Sequence, residues 1–228
     1  MKKLLIMTGP QGSGNHLWSK VLGETPGVKG WTQLTQEYWV GHGNEPFANI
    51  WHEPELFREQ VWEDGNYVTS ISCPFISKGG PTNEVIGHWE IPRYDEFIAE
   101  AQAQGFEVKV AVIGRDFNIL AHQQQRIRLE VTTPLFLKEL DACISKYDPI
   151  FLSTELLYLF RHRYIAQVSQ LLDFPITVDE EKLEDILKDN ANAKYIRPVV
   201  HYWLDDYMRE IAPNNGHPDN PHKYRKRG

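Results

Sequence analysis

The residues best suited to bind a charged ligand lie near the N-terminus, in the stretch Gly9-Pro10-Gln11-Gly12-Ser13-Gly14-Asn15-His16. Glycines let the backbone turn tightly, so that successive N–H groups converge on one point. A short apolar run precedes the stretch and a helical pattern follows it, so the loop also meets the partial positive charge of a helix N-terminus. The pattern predicts a site for a phosphate or sulfate group. An ordinary glycine-rich turn between a strand and a helix is the competing interpretation.

The same loop lacks two residues of the nucleoside-triphosphate motif GxxxxGK(S/T). Gly9 and Gly14 keep its spacing, but Asn15 replaces the lysine and His16 replaces the Ser or Thr that holds Mg²⁺. A kinase with this loop would lack its γ-phosphate clamp and one metal ligand. We therefore expect an anion that is bound without a metal, and a nucleotide or nucleoside kinase is a disfavoured alternative.

Residues 12–18, which read Gly-Ser-Gly-Asn-His-Leu-Trp, resemble the 5′-phosphosulfate loop of the sulfotransferase family, whose common form is GSGNTW. The resemblance implies a P-loop-type fold and the sulfuryl donor 3′-phosphoadenosine 5′-phosphosulfate (PAPS), used without a metal. It also implies that the donor is bound by residues of this loop: Gln11, Gly12, Ser13, Gly14, Asn15 and His16.

An arginine, Arg115, follows the third predicted strand, residues 108–113. Ligands of open α/β sheets bind outside the carboxyl ends of the strands, and the guanidinium fork matches a phosphate. In sulfotransferases the corresponding strand ends in an Arg, and a Ser eight residues later joins it at the 3′-phosphate of the donor. Here the eighth residue is Gln123, which can still donate a hydrogen bond. Most of the other polar residues on this helix, residues 117–130, are interpreted as a solvated face.

Sulfuryl transfer to a hydroxyl group also requires a general base and a cation near the bridging oxygen of the donor. In cytosolic sulfotransferases these groups are a His at the end of the second strand and a Lys in the first loop. This sequence has Ser70-Ile71-Ser72-Cys73 at the strand end and Gln11 near the lysine position. Both groups must therefore come from elsewhere in the chain.

His88 is the predicted base, because a glycine-rich loop after the second strand could fold it back over the cleft. Lys78 lies in the same loop and is the predicted contact of the sulfuryl group. His52 and His16 are the alternative bases. A non-catalytic nucleotide-binding module with a degenerate site is the alternative from a different functional class.

An aromatic segment lies between the first helix and the second strand: it contains Trp31, Tyr38, Trp39, Phe47, Trp51 and Trp62. Such side chains could line a pocket for the acceptor, a small molecule or a carbohydrate. They could equally form a local core beneath a long loop. The sequence leaves both interpretations open.

Strands that alternate with helices predict an α/β protein, a three-layer P-loop-like fold with a parallel sheet of four or five strands flanked by helices. The predicted strands are residues 4–7, 67–73, 108–113 and 149–152, and the predicted helices include a long one over residues 155–172. We expect one domain over residues 1–211, with the aromatic-rich insertion at about residues 27–65. Residues 212–228 are predicted to be a polar, basic tail.

The composition narrows the choice of partners and compartment. The 228 residues carry a net charge of −7, which disfavours a general nucleic-acid binder. No segment approaches the 18 apolar residues of a membrane span, and the apolar run Leu4 to Met7 is shorter than that of a signal peptide. Two cysteines fit neither a disulfide framework nor a zinc site, so we expect a cytoplasmic protein. The sequence predicts no particular oligomeric state.

Overall fold

A computed structural model describes residues 1–30, 47–76, 89–188 and 192 of the chain. In these residues five parallel strands form one sheet, which confirms the predicted α/β fold: β1 (Lys2–Gly9), β2 (Val28–Gly30), β3 (Gly65–Ser72), β6 (Phe106–Gly114) and β7 (Ile150–Ser153). Two short strands, β4 (Phe75–Ile76) and β5 (Trp89–Glu90), pair antiparallel as a separate ribbon. The ribbon begins just beyond the carboxyl end of β3.

The sheet has the strand order β2-β3-β1-β6-β7. β1 lies at the centre, and its residues 4–9, which include the apolar run Leu4 to Met7, are buried. It pairs with β3 from Lys2↔Gly65 to Gly9↔Ser72, and with β6 on its other side. The chain leaves β1 towards one edge of the sheet and leaves β6 towards the other. The crevice between the carboxyl ends of β1 and β6 is therefore the topological switch point, where open α/β sheets bind ligands.

Helices cover both faces of this sheet, as three layers require. The structure contains α1 (Asn15–Gly23), α2 (Tyr94–Ala103), α3 (Phe117–Arg128), α4 (Thr133–Ala142), α5 (Thr154–Phe160), α6 (His162–Leu172) and α7 (Glu180–Leu187), with 3-10 helices at Pro54–Glu59 and Ile144–Tyr147. Alternate residues of β1 point to opposite faces. Leu5 and Met7 join the core beneath α1, α6 and α7, whereas Leu4 and Ile6 join the core beneath α2.

The sequence prediction missed three short strands, β2 of the main sheet and both strands of the ribbon, and it merged two helices. β2 has only three residues inside a segment without periodicity, so no pattern revealed it. The predicted helix over 155–172 is two helices, because Arg161 adopts φ 47° and ends α5. The buried positions Leu157, Tyr164 and Val168 keep a helical spacing across this break. Hydrophobic periodicity therefore could not detect it.

The described part of the aromatic segment forms core rather than an open pocket. Phe47 and Trp51 are almost completely buried, and Trp62 stacks on Phe47 at 5.2 Å between ring centroids. Trp51 stacks on Phe97 of α2 and donates its indole N–H to Thr69 Oγ1 at 2.9 Å. For these three aromatic residues the core interpretation is correct. Trp31, Tyr38 and Trp39 lie outside the described residues.

The tail, residues 212–228, lies outside the described residues. Of the helices in the described ranges, none has the length and apolar character needed to cross a membrane.

Candidate anion-binding site

The glycine loop, residues 9–14, leaves the carboxyl end of β1 and leads directly into α1. Arg115 follows the carboxyl end of the neighbouring strand β6. Because β1 and β6 are paired in parallel, these two segments meet at the switch point. The structure thus brings together the loop, Arg115 and Gln123, three features that the sequence indicates separately.

Glycine is required at two positions of the loop by backbone angle and by close packing. Gly12 has φ 83° and Gly14 has φ 117°, angles that residues with a Cβ rarely adopt. A Cβ on Gly14 would lie 2.4 Å from Thr154 Oγ1, and one on Gly12 would lie 2.9 Å from the side-chain amide of Gln123. The glycine spacing therefore permits neighbouring elements to touch the loop backbone.

Three consecutive carbonyl groups of the loop each accept a hydrogen bond from a different element. Gln124 Nε2 of α3 donates to Gln11 O at 2.7 Å, and Arg115 Nη1 donates to Gly12 O at 2.6 Å. Thr154 Oγ1, at the start of α5, donates to Ser13 O at 2.5 Å. The loop is thus held in one conformation before any ligand arrives, which reduces the ordering cost of binding.

The start of α1 is a second feature of the loop that suits an anion. The helix begins after Gly14, whose carbonyl accepts from Trp18 N at 3.0 Å, and no side chain caps this end in the described residues. The first amides of a helix have no partner within the helix, and they carry its partial positive charge. Those of Asn15 and of the half-buried His16 are therefore suited to bind an anion.

The polar side chains of the loop itself point into the protein. Ser13 Oγ donates to Asn15 Oδ1 at 3.2 Å, and Asn15 Nδ2 donates to Ser72 Oγ of β3 at 2.9 Å. Gln11 Nε2 donates to Pro74 O at 3.0 Å, which ties the loop to the chain after β3. Gln11 lies near the position where the family resemblance implies a lysine. These side chains shape the loop, and its backbone supplies the groups that an anion can contact.

Arg115 is almost buried, with 8% of its surface exposed, beside the loop. Besides Gly12 O, its guanidinium donates to Gln123 Oε1 and, at 2.8 Å, to Asn192 Oδ1. Gln123 Oε1 accepts from the guanidinium, so the two N–H donors of this side chain are both on its Nε2. Arginine and glutamine donors are thereby grouped at the edge of the loop.

Three residues that organise this site are not evident from the sequence. Gln124 was assigned to a solvated helix face, which is wrong, since it is 1% exposed. It lies four residues after the buried Leu120, and this spacing was the available signal. Thr154 follows directly on the carboxyl end of β7, as Arg115 follows β6. Asn192, which is buried against Arg115, had no sequence signal.

The predicted catalytic residues are described only in part. His88 and Lys78 lie outside the described residues. The His52 ring lies edge-on against Phe75 at 5.1 Å, and its Nδ1 lies 3.8 Å from Glu90 Oε2. Phe75 follows Pro74, the residue that Gln11 contacts. His52 therefore packs against the ribbon, at the same end of the sheet as the loop.

The end of β3 offers no base that would be active near neutral pH. Ser72 Oγ accepts the hydrogen bond from Asn15, and Ser70 is buried. Burial raises the pKa of the Cys73 thiol to about 12, so the thiol is protonated at physiological pH. A base for hydroxyl activation must come from another segment, as the sequence indicated.

No protein-family profile matches the chain, and no curated protein matches its sequence. Among solved structures, the chain is similar to the sulfotransferase domain of the Synechococcus PCC 7002 olefin synthase, with 13% identity and a TM-score of 0.42 over 92% of this chain and 88% of that one. It is also similar to mouse sulfotransferase SULT7A1, crystallised with PAP, with 10% identity and a TM-score of 0.41 over 85% of this chain and 66% of that one. Both similarities are weak, and the interpretation of the site depends on its own geometry.

Proposed function

We propose that the chain is a sulfotransferase-like enzyme that binds PAPS and transfers its sulfuryl group to a hydroxyl of a small molecule or sugar. One observation carries the proposal. The glycine loop is braced through three carbonyl groups, and it presents the uncapped start of α1 at the switch point of the sheet. Such a site favours a phosphate or sulfate group.

Arg115 and Gln123 support a donor with a second phosphate. Arg115 contacts both the loop carbonyl of Gly12 and the side chain of Gln123, and the family resemblance implies that the 3′-phosphate of the donor binds at positions 115 and 123. The guanidinium and the amide N–H groups of Gln123 would hold the 3′-phosphate.

Position 15 argues against a triphosphate ligand. The Asn15 side chain is committed to Ser72 of β3, whereas a triphosphate site needs a lysine ammonium at this position. A kinase is therefore the weaker candidate.

In the proposed reaction the acceptor oxygen attacks sulfur while a base takes its proton. The bond between sulfur and the phosphate oxygen breaks, and adenosine 3′,5′-bisphosphate leaves with its new charge stabilised by the loop amides. His88 is proposed as the base, with His52 or His16 as alternatives, and Lys78 is proposed at the sulfuryl group. Cys73 and Cys143 are free thiols, which supports a cytoplasmic location.

The Arg115→Ala variant tests the donor assignment. We expect adenosine 3′,5′-bisphosphate binding, measured by calorimetry, to weaken by roughly 1.5–3 kcal/mol, the range for a hydrogen bond to a charged group. Adenosine 5′-monophosphate should lose less than about tenfold, because only the brace on Gly12 O is removed. Arg163→Ala, which removes an exposed arginine of α6, is the matched control and should bind like the wild type. Equal losses for both nucleotides would contradict the assignment of Arg115 to the 3′-phosphate.

Metal independence separates the sulfotransferase from the kinase. Bisphosphate binding should be unchanged in excess EDTA, because the position of the Mg²⁺-binding hydroxyl is taken by His16. Calorimetry with and without Mg²⁺ checks this. Tighter binding of Mg-ATP than of the bisphosphate would favour the kinase instead.

A further inference from the structure

Gln124 of α3 has a role that the proposed reaction does not use. Its Nε2 donates to Gln11 O, and its Oε1 accepts from Thr132 N at 2.9 Å and Thr133 N at 3.1 Å. Backbone N–H groups can only donate, so they fix which end of the amide faces them. The NH₂ end of Gln124 must therefore face the loop.

The hydrogen bond to Gln11 O also sets the direction of the next amide. A peptide unit is planar and trans, so its C=O and N–H groups point to opposite sides. With Gln11 O directed at Gln124, the Gly12 N–H points away from α3. In the same way, the hydrogen bond from Thr154 to Ser13 O turns the Gly14 N–H away from α5.

The amide between these two has a different role. Ser13 N–H closes a turn onto Pro10 O at 3.0 Å, so it is not available to a ligand. The amides on either side of it, those of Gly12 and Gly14, are the ones that Gln124 and Thr154 orient. Both orienting side chains are buried, at 1% and 2% exposure, so solvent does not compete for their donors.

We propose that Gln124 and Thr154 are positioning residues that aim the Gly12 and Gly14 amides at the 5′-phosphosulfate of the donor. The identity of the ligand, a 5′-phosphosulfate, rests on the proposed function. The orientation of the two amides does not, because the same amides would face any tetrahedral anion bound on the loop.

Three variants and a neighbouring control test this role. Thr154→Val keeps the shape of the side chain but removes the donor to Ser13 O, and Thr154→Ser restores it. Gln124→Glu keeps the acceptor for residues 132 and 133 but replaces the donor that faces the loop. Gln125→Glu adds the same charge at an exposed position of the same helix and should bind like the wild type.

Adenosine 5′-monophosphate and the 3′,5′-bisphosphate should each bind Thr154→Val and Gln124→Glu more weakly by a common factor on the order of tenfold. Adenosine 3′-monophosphate, which has no group for the loop, should bind these variants and the wild type equally. Thr154→Ser should recover the affinity. A purely structural role would weaken all three nucleotides together, or none, and either result would overturn the proposal.

An inorganic sulfate measurement separates this inference from the proposed function. Sulfate should raise the melting temperature of the wild type more than that of Thr154→Val, relative to chloride at equal ionic strength. Failure of the wild type to bind the bisphosphate, with this sulfate difference intact, would remove PAPS but keep the positioning role. Equal sulfate shifts in the two proteins would overturn the positioning role.

Discussion

Replacing Gly14 by alanine is expected to lower the free energy of unfolding by about 3 kcal/mol or more and to abolish measurable binding of adenosine 3′,5′-bisphosphate. Gly14 has φ 117°, and an added Cβ would lie 2.4 Å from Thr154 Oγ1. Relief of that overlap must displace either Thr154 or the start of α1. Either movement disturbs the hydrogen bond to Ser13 O and the amides that face the anion.

Gly27→Ala is the matched control for this substitution. Gly27 also has a positive φ, 78°, but a Cβ there would meet no described atom within 4 Å. Gly27→Ala should therefore lower the free energy of unfolding only by the cost of a left-handed backbone angle in alanine, about 1–2 kcal/mol. Ligand affinity should be unchanged. Chemical denaturation and calorimetry of both variants give the comparison. Equal destabilisation of the two, with binding retained in Gly14→Ala, would show that the contact with Thr154 does not shape the site.

The second large effect concerns the base. His88→Asn is expected to lower turnover by about 10²–10⁴-fold while leaving donor affinity nearly intact, because a general base contributes to the transition state rather than to donor binding. His88 directly precedes Trp89, whose strand β5 pairs with Ile76 of β4 just beyond the end of β3. Release of adenosine 3′,5′-bisphosphate from PAPS in the presence of acceptor alcohols measures turnover.

His52→Asn distinguishes the alternative assignment. The His52 ring contacts Phe75 of the same ribbon, so it also lies at the carboxyl end of the sheet. If His88 is the base, His52→Asn should change turnover by less than about tenfold. A large loss in His52→Asn, with normal turnover in His88→Asn, would transfer the role to His52. Donor binding without turnover in the wild type, across the acceptors tested, would favour the non-catalytic module.

The family resemblance and the structure give Arg115 different contacts. The resemblance assigns Arg115 to the 3′-phosphate, whereas the structure also gives it a bond to the loop carbonyl of Gly12. One guanidinium has five N–H donors, so both roles are compatible. These two roles of Arg115 are the reason why Arg115→Ala is expected to weaken binding of adenosine 5′-monophosphate less than binding of the 3′,5′-bisphosphate.

The amino-acid sequence alone was sufficient to predict the strand, loop and helix at residues 4–22, and the position of Arg115 at the end of β6. These features depend on neighbouring residues: an apolar run, closely spaced glycines, and the end of a strand. The braces of the loop depend on tertiary packing, since Gln124 meets Gln11 across 113 positions and Thr154 meets Ser13 across 141. From the sequence alone, a polar residue on a helix is predicted to face solvent, because the element that packs against it is not known. The same reason applies to three other features that only the tertiary structure shows: the core role of Trp51, the short strand β2 and the break at Arg161. Each depends on contacts between segments that are distant in the sequence.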